Sequence, residues 1–172
     1  MIVTDLPPGA TLFCAHAPQW ASQPLSGAGA ALGGGRFNRQ GVQALYLSLE
    51  EITALREYQQ TSPFLPPCTM CSYTVALTRL VDLRQLHRGP PWDDLWHDWR
   101  EDWRQLRFEQ HIEPPTWVLA DMVLAKGCTG IVFPSLAHPG GTNVVVYHSQ
   151  ISGGNFVQVN GPDCKLPCNQ VS

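Results

Sequence analysis

Apolar positions along the chain fall into short blocks, and the spacing inside each block predicts its element. Residues 10–16, Ala-Thr-Leu-Phe-Cys-Ala-His, read as a first strand. Ala44-Leu45-Tyr46-Leu47 predicts a short buried strand running into Ser48. Ser48 with Glu51 three residues on fits a capping box, so a helix is expected from there to about residue 60, stopped by Pro63, Pro66 and Pro67. On its helical wheel Leu49, Ile52, Leu55 and Tyr58 form the apolar arc, and Glu57 falls outside it, near Glu50 and Thr53. Residues 72–83 alternate as a strand with Val75, Leu77 and Leu80 on one side. Trp92, Trp96, Trp99 and Trp103 then recur at spacings of 4, 3 and 4, one stripe of a helix whose other face is acidic and basic. Such a stripe faces either a core or a partner. Pro114-Pro115 opens a helix through Lys126 that Gly127 ends. Residues 130–134 and 143–147 are continuous apolar strands, 156–159 is an edge strand, and 161–172 is an irregular tail. Strands, helix, strand, helices and strands in that order predict a single α+β domain over residues 1–172 with its core at about 10–150.

Composition narrows the function classes. With 15 glycines and 15 prolines the elements must be short and joined by many turns, which argues against a helical bundle or coiled coil. Eleven Lys and Arg against 14 Asp and Glu leave no polybasic footprint, so neither direct nucleic-acid binding nor attachment to an anionic membrane is expected. No apolar run approaches the ~18 residues of a membrane span, and the N-terminus has no secretory pattern, so a cytoplasmic protein is expected. Six cysteines include the pairs Cys68/Cys71 and Cys164/Cys168. Four thiolates suit a zinc ion, but the pairs are about 90 residues apart and lack glycine knuckles. Free thiols and no metal are the expectation.

The segment richest in possible chemistry is Gly33-Gly34-Gly35-Arg36. Glycine lets backbone N–H groups approach a phosphate and arginine offers a matching fork of donors; taken alone the signal is weak, and a plain turn is the more ordinary reading of these residues. Taken alone, Glu57 reads as a solvated glutamate, Tyr46 as a core residue and Ser135 as a turn former.

The ordered set of blocks goes further. Ser26-Gly27-Ala28-Gly29-Ala30, Gly34-Gly35-Arg36-Phe37-Asn38, Gly41, Ala44-Leu45-Tyr46-Leu47-Ser48, Thr53-Ala54 and Glu57 are followed by Val81-Asp82-Leu83 and Trp117-Val118-Leu119-Ala120. Gly130-Ile131-Val132-Phe133-Pro134-Ser135 and Gly141-Thr142-Asn143-Val144-Val145-Val146 complete the series, which over residues 10–150 resembles the RES domain family. The arginine, glutamate and serine of that name map to Arg36, Glu57 and Ser135.

The resemblance implies an ADP-ribosyltransferase-like fold, a mainly antiparallel split sheet flanked by helices. It also implies an NAD⁺-consuming toxin of a bacterial toxin–antitoxin pair, blocked by an Xre-type helix-turn-helix antitoxin. ADP-ribose would go to a cellular protein or, alternatively, to water or phosphate; a non-catalytic partner-binding module is the reading of another class. Glu57 would stabilise the ribosyl cation and Arg36 would grip the pyrophosphate with the Gly34 and Gly35 N–H groups. Tyr46 would stack on nicotinamide or ribose, Ser135 would bond the ribose or the amide, and Asn143 and His16 would complete the NAD⁺ site. One position departs from the family pattern: Cys14 stands where many members carry an arginine, with His16 as its partial replacement.

Overall fold

The structure, a computed structural model, describes residues 1–89 and 92–161. The expected tail and the pair Cys164/Cys168 lie outside the described residues, apart from Gly161. Among the described residues six strands and three α-helices follow one another: β1 (Val3–His16), α1 (Ala28–Gly33), β2 (Ala44–Ser48), α2 (Glu51–Gln59), β3 (Thr69–Asp82), α3 (Pro115–Ala125), β4 (Gly130–Pro134), β5 (Thr142–Tyr147) and β6 (Phe156–Val159). β3 is the spine. One of its edges pairs antiparallel with β1 from Val3↔Val81 to His16↔Thr69. Its other edge holds β4, parallel at Leu80–Asp82, and β6, antiparallel at Tyr73–Ala76. β4 pairs with β5, β5 with β2, and β2 returns to β1 through the single pair Phe13↔Ser48. The circuit therefore closes, and β6 adds an edge outside it.

Period-2 alternation divides the strands between two cores. Leu45 and Leu47 of β2, Val132 of β4, and Val144 and Val146 of β5 join Leu12, Tyr73, Val75 and Leu77 in one cluster. Their neighbours Ala44, Ile131, Phe133, Val145 and Tyr147 pack with α3 and the tryptophan segment in the other. With both faces covered, β4 and β5 read as unbroken apolar runs.

Three expectations are corrected. β1 begins seven residues before residue 10, because Pro7 and Pro8 fall in a register shift between Leu6 and Ala10, where the ladder does not need their missing N–H groups. Ser48 does not cap α2: it ends β2 and donates its hydroxyl to Asn143 Oδ1 at 2.8 Å, while Glu50 occupies the N-cap. The tryptophan stripe is not one α-helix either. Residues Asp94–Arg100 form a 3₁₀-helix capped by Asp93, and a π-turn follows at Gln105–Glu109. At three residues per turn Trp96 and Trp99 sit one above the other, and all four tryptophans are buried, so the stripe is core. No helix among the described residues is long and apolar enough to cross a membrane.

Candidate active site

Strand parity assembles the site. Tyr46 and Ser48 share a face of β2, Asn143 pairs with both Ser48 and Phe133, and Ser135 continues the Phe133 face just past β4. Four polar side chains thus reach the same end of the sheet on the same side. α2 lies over them, and it buries Thr53 and Ala54 while Ile52 is 46% exposed. The inward face is therefore not the apolar arc of the wheel. The helix covers a polar site instead of a core, so Glu57, on the Thr53 face, points inward.

Glu57 Oε1 accepts two hydrogen bonds, from Ser135 Oγ and from Asn143 Nδ2, each at 2.6 Å. Both donors are themselves held. Asn143 Oδ1 takes the Ser48 hydroxyl, and Ser135 Oγ accepts the His138 N–H at 2.9 Å. Glu50 Oε2 accepts from Thr53 Oγ1 and from the Thr142 N–H, which pins the start of α2 to β5. The carboxylate is thereby fixed at the wall of an open cavity of about 1070 Å³.

Arg36 lies in the same cavity. Its Nη1 donates to the carbonyls of Trp99 (2.9 Å) and Glu101 (2.8 Å). Burial pulls its pKa below the ordinary arginine value, with Tyr46 and Glu57 pulling the other way. The Tyr46 hydroxyl donates to Asn38 Oδ1 (2.8 Å) and accepts the Phe37 N–H (2.9 Å), and burial raises its pKa. Its ring lines the cavity.

The glycines serve differently from the expected phosphate cradle. Gly34 N–H is bonded to the Ala30 carbonyl and Gly35 N–H to that of Asn38, so neither is left for a ligand. What glycine supplies is room. A Cβ on Gly35 would lie 2.5 Å from both Asn38 Oδ1 and the Tyr46 hydroxyl. One on Gly34, at φ +76°, would meet Trp117, whose indole donates to the Gly35 carbonyl.

Glu57, Arg36, Tyr46, Asn143, Gly34 and Gly35 thus line one cavity, with Ser135 bonded to Glu57 behind it. Ser135, expected to meet a ligand, holds the carboxylate. His16 is not brought to the cavity. Its Nε2 lies 2.6 Å from the Tyr73 hydroxyl, which donates to the Pro24 carbonyl. Cys14 is in the lining, its thiol pushed up to about 12 by burial and by Cys71, its cross-strand neighbour. Sequence reasoning missed Arg104, Trp103 and Phe108, which also line it. No local signal marks them: Arg100 follows Trp99 just as Arg104 follows Trp103, and only Arg104 is in the lining. No group of three or more His, Cys, Asp or Glu among the described residues is placed to hold a metal.

Burial lowers the pKa of His16, and likewise that of His148. The unfolded chain then binds more protons than the folded one once pH falls below the ordinary histidine value, about 6.5. Stability is expected to be full above that pH and to decline below it. Unfolding in urea between pH 7.5 and 5 should show the decline, and His16→Gln should flatten it.

The RES domain family model matches residues 11–167. Among solved structures, the fold is similar to that of the toxin chain in the crystal structure of the M. tuberculosis MbcT–MbcA toxin–antitoxin complex. The TM-score is 0.59 at 17% identity, covering 91% of this chain and 84% of that one, a likeness of fold. No curated protein sequence matches.

Proposed function

The chain belongs to the RES domain family, and from that premise we propose that it is a single-domain toxin of a toxin–antitoxin pair that cleaves the nicotinamide–ribose bond of NAD⁺. The observation that carries this reading is the Glu57 carboxylate, held by Ser135 and Asn143 at the wall of a cavity that also contains Arg36. Departure of nicotinamide builds positive charge on the ribose, and a preorganised carboxylate beside it lowers the barrier. Ser135 and Asn143 act as positioning residues for Glu57. Arg36 takes the diphosphate, and the Tyr46 ring takes the nicotinamide or ribose face, where a cationic ring gains about 0.5–2 kcal/mol. The electron pair of the broken C–N bond leaves with nicotinamide, and the ribosyl carbon is taken by a nucleophile of a cellular protein. Water or phosphate is the second acceptor reading, because the cavity is open to solvent.

The wider assignment follows from the family: an ADP-ribosyltransferase-like fold, a cytoplasmic setting, and an Xre-type antitoxin covering the cavity mouth. NAD⁺ labelled on its adenylate side tests the chemistry, incubated with purified chain with and without cell extract. A discrete labelled protein is the expected result. Free ADP-ribose or its 1″-phosphate without labelled protein would make water or phosphate the acceptor. Intact NAD⁺ under both conditions would favour a non-catalytic binding module and end the reading.

A further inference from the structure

Two arginines, Arg36 and Arg104, are among the residues that line the cavity. Neither is ion-paired with a carboxylate among the described residues, whereas Arg39 is paired with Glu113 and Asp121, and Arg84 with Asp82. They are close enough for the Arg104 charge to bear on both Arg36 and Tyr46.

Their relative position is fixed by one stretch of chain. Arg36 docks on the carbonyls of Trp99 and Glu101, five and three residues before Arg104. Asp102 Oδ1 accepts the N–H groups of Arg104 (3.0 Å) and Gln105 (3.2 Å), which sets the turn. Trp103 is buried, and the Arg104 guanidinium lies 4.8 Å from its ring centroid. Two like charges facing one cavity repel; Glu57 and Asp102 offset that repulsion in part at Arg36, and the charge of a bound diphosphate would offset more of it. The neutral Cys14 thiol at the β1 wall contributes no cation of its own.

We propose that Arg104 is a second anion-binding residue, forming with Arg36 a two-guanidinium clamp for a diphosphate group. The identity of the full ligand, a dinucleotide, rests on the function proposed above. The clamp itself does not depend on it.

Calorimetric titration of the purified chain with NAD⁺ and, separately, with inorganic pyrophosphate tests the clamp. Arg104→Gln is expected to weaken binding about ten-fold or more, as loss of hydrogen bonds to a charged group does, and Arg104→Lys to weaken it less. Arg100→Gln removes the same charge from the neighbouring 3₁₀-helix, whose guanidinium sits over Trp99, and should bind as wild type does. Unchanged melting of Arg104→Gln, an exposed position, verifies its fold. Wild-type affinity in Arg104→Gln, or an equal loss in Arg100→Gln, would overturn the clamp, as would a wild-type chain that bound neither probe. Loss of pyrophosphate in Arg104→Gln from a wild type that binds pyrophosphate but not NAD⁺ would uphold the clamp and overturn the nucleotide reading.

Discussion

Replacing Glu57 by glutamine is expected to slow nicotinamide release from NAD⁺ by about 10²–10³-fold, the range for loss of one preorganised electrostatic contact. The substitution is informative because the geometry survives it. Both hydrogen bonds to Glu57 converge on Oε1, from Ser135 Oγ and Asn143 Nδ2. A glutamine oxygen accepts both in the same place, so size and partners are kept and only the charge is lost. The loss should therefore appear in kcat, with KM changed much less, since ground-state NAD⁺ carries no full ribosyl cation for the carboxylate to stabilise. Glu57→Ala would also leave the Ser135 and Asn143 donors without their acceptor and mix two effects. Turnover by Glu57→Gln at the wild-type rate would remove Glu57 from the chemistry.

The largest stability effect is expected at Trp96, which is completely buried. Its ring meets that of Trp92 edge-on at 5.3 Å, and its cluster joins the sheet to α3. Trp96→Ala should cost about 3–5 kcal/mol, the usual range for a large buried ring. For a chain of this length each kcal/mol lowers the melting point by about 2–4 °C. Trp96→Phe should cost far less. It keeps a ring in the gap and removes an indole N–H that has no hydrogen-bond partner among the described residues. Urea unfolding of both variants checks the ordering. Equal stability of Trp96→Ala and wild type would return the tryptophan stripe to the surface.

The parts of the fold legible in the sequence were those whose burial is uniform. The run Gly130–Pro134 has its observed limits in the sequence reading, and Thr142–Tyr147 differs from it by one residue. Both strands are covered on two faces, so every position reports the same environment. The helix Pro115–Ala125 carries its own start and stop signals, with Gly127 at φ +63° just beyond it. Legibility failed where a local rule met a long-range demand. Ser48 and Glu51 have capping-box spacing, but Ser48 is claimed by Asn143, 95 residues away. Glu57 looked solvated because a helical wheel ranks faces by hydrophobicity, and the face turned inward here is chosen by polar partners. Tyr46 and Glu57 were singled out only through the ordered blocks of the family resemblance, whereas the loop Gly33–Arg36 had already pointed to Arg36 by its own residues. Arg104 sits outside those blocks, and nothing local to it reveals that it shares a cavity with a residue 68 positions earlier.

Strand order also sets a timetable for synthesis. β5 lies between β2 and β4 in the closed circuit, yet it is the last but one of the described strands to be made. Its Asn143 supplies one of the two bonds that hold Glu57, and Ser135 supplies the other. A ribosome working at about 5–20 residues per second has therefore passed residue 134 before the first of these bonds can form and residue 142 before the second. Until β5 arrives, β2 and β4 have no partner to join them, and Glu57 waits on a helix without its frame. A chain stalled or cut short before residue 143 carries no assembled site.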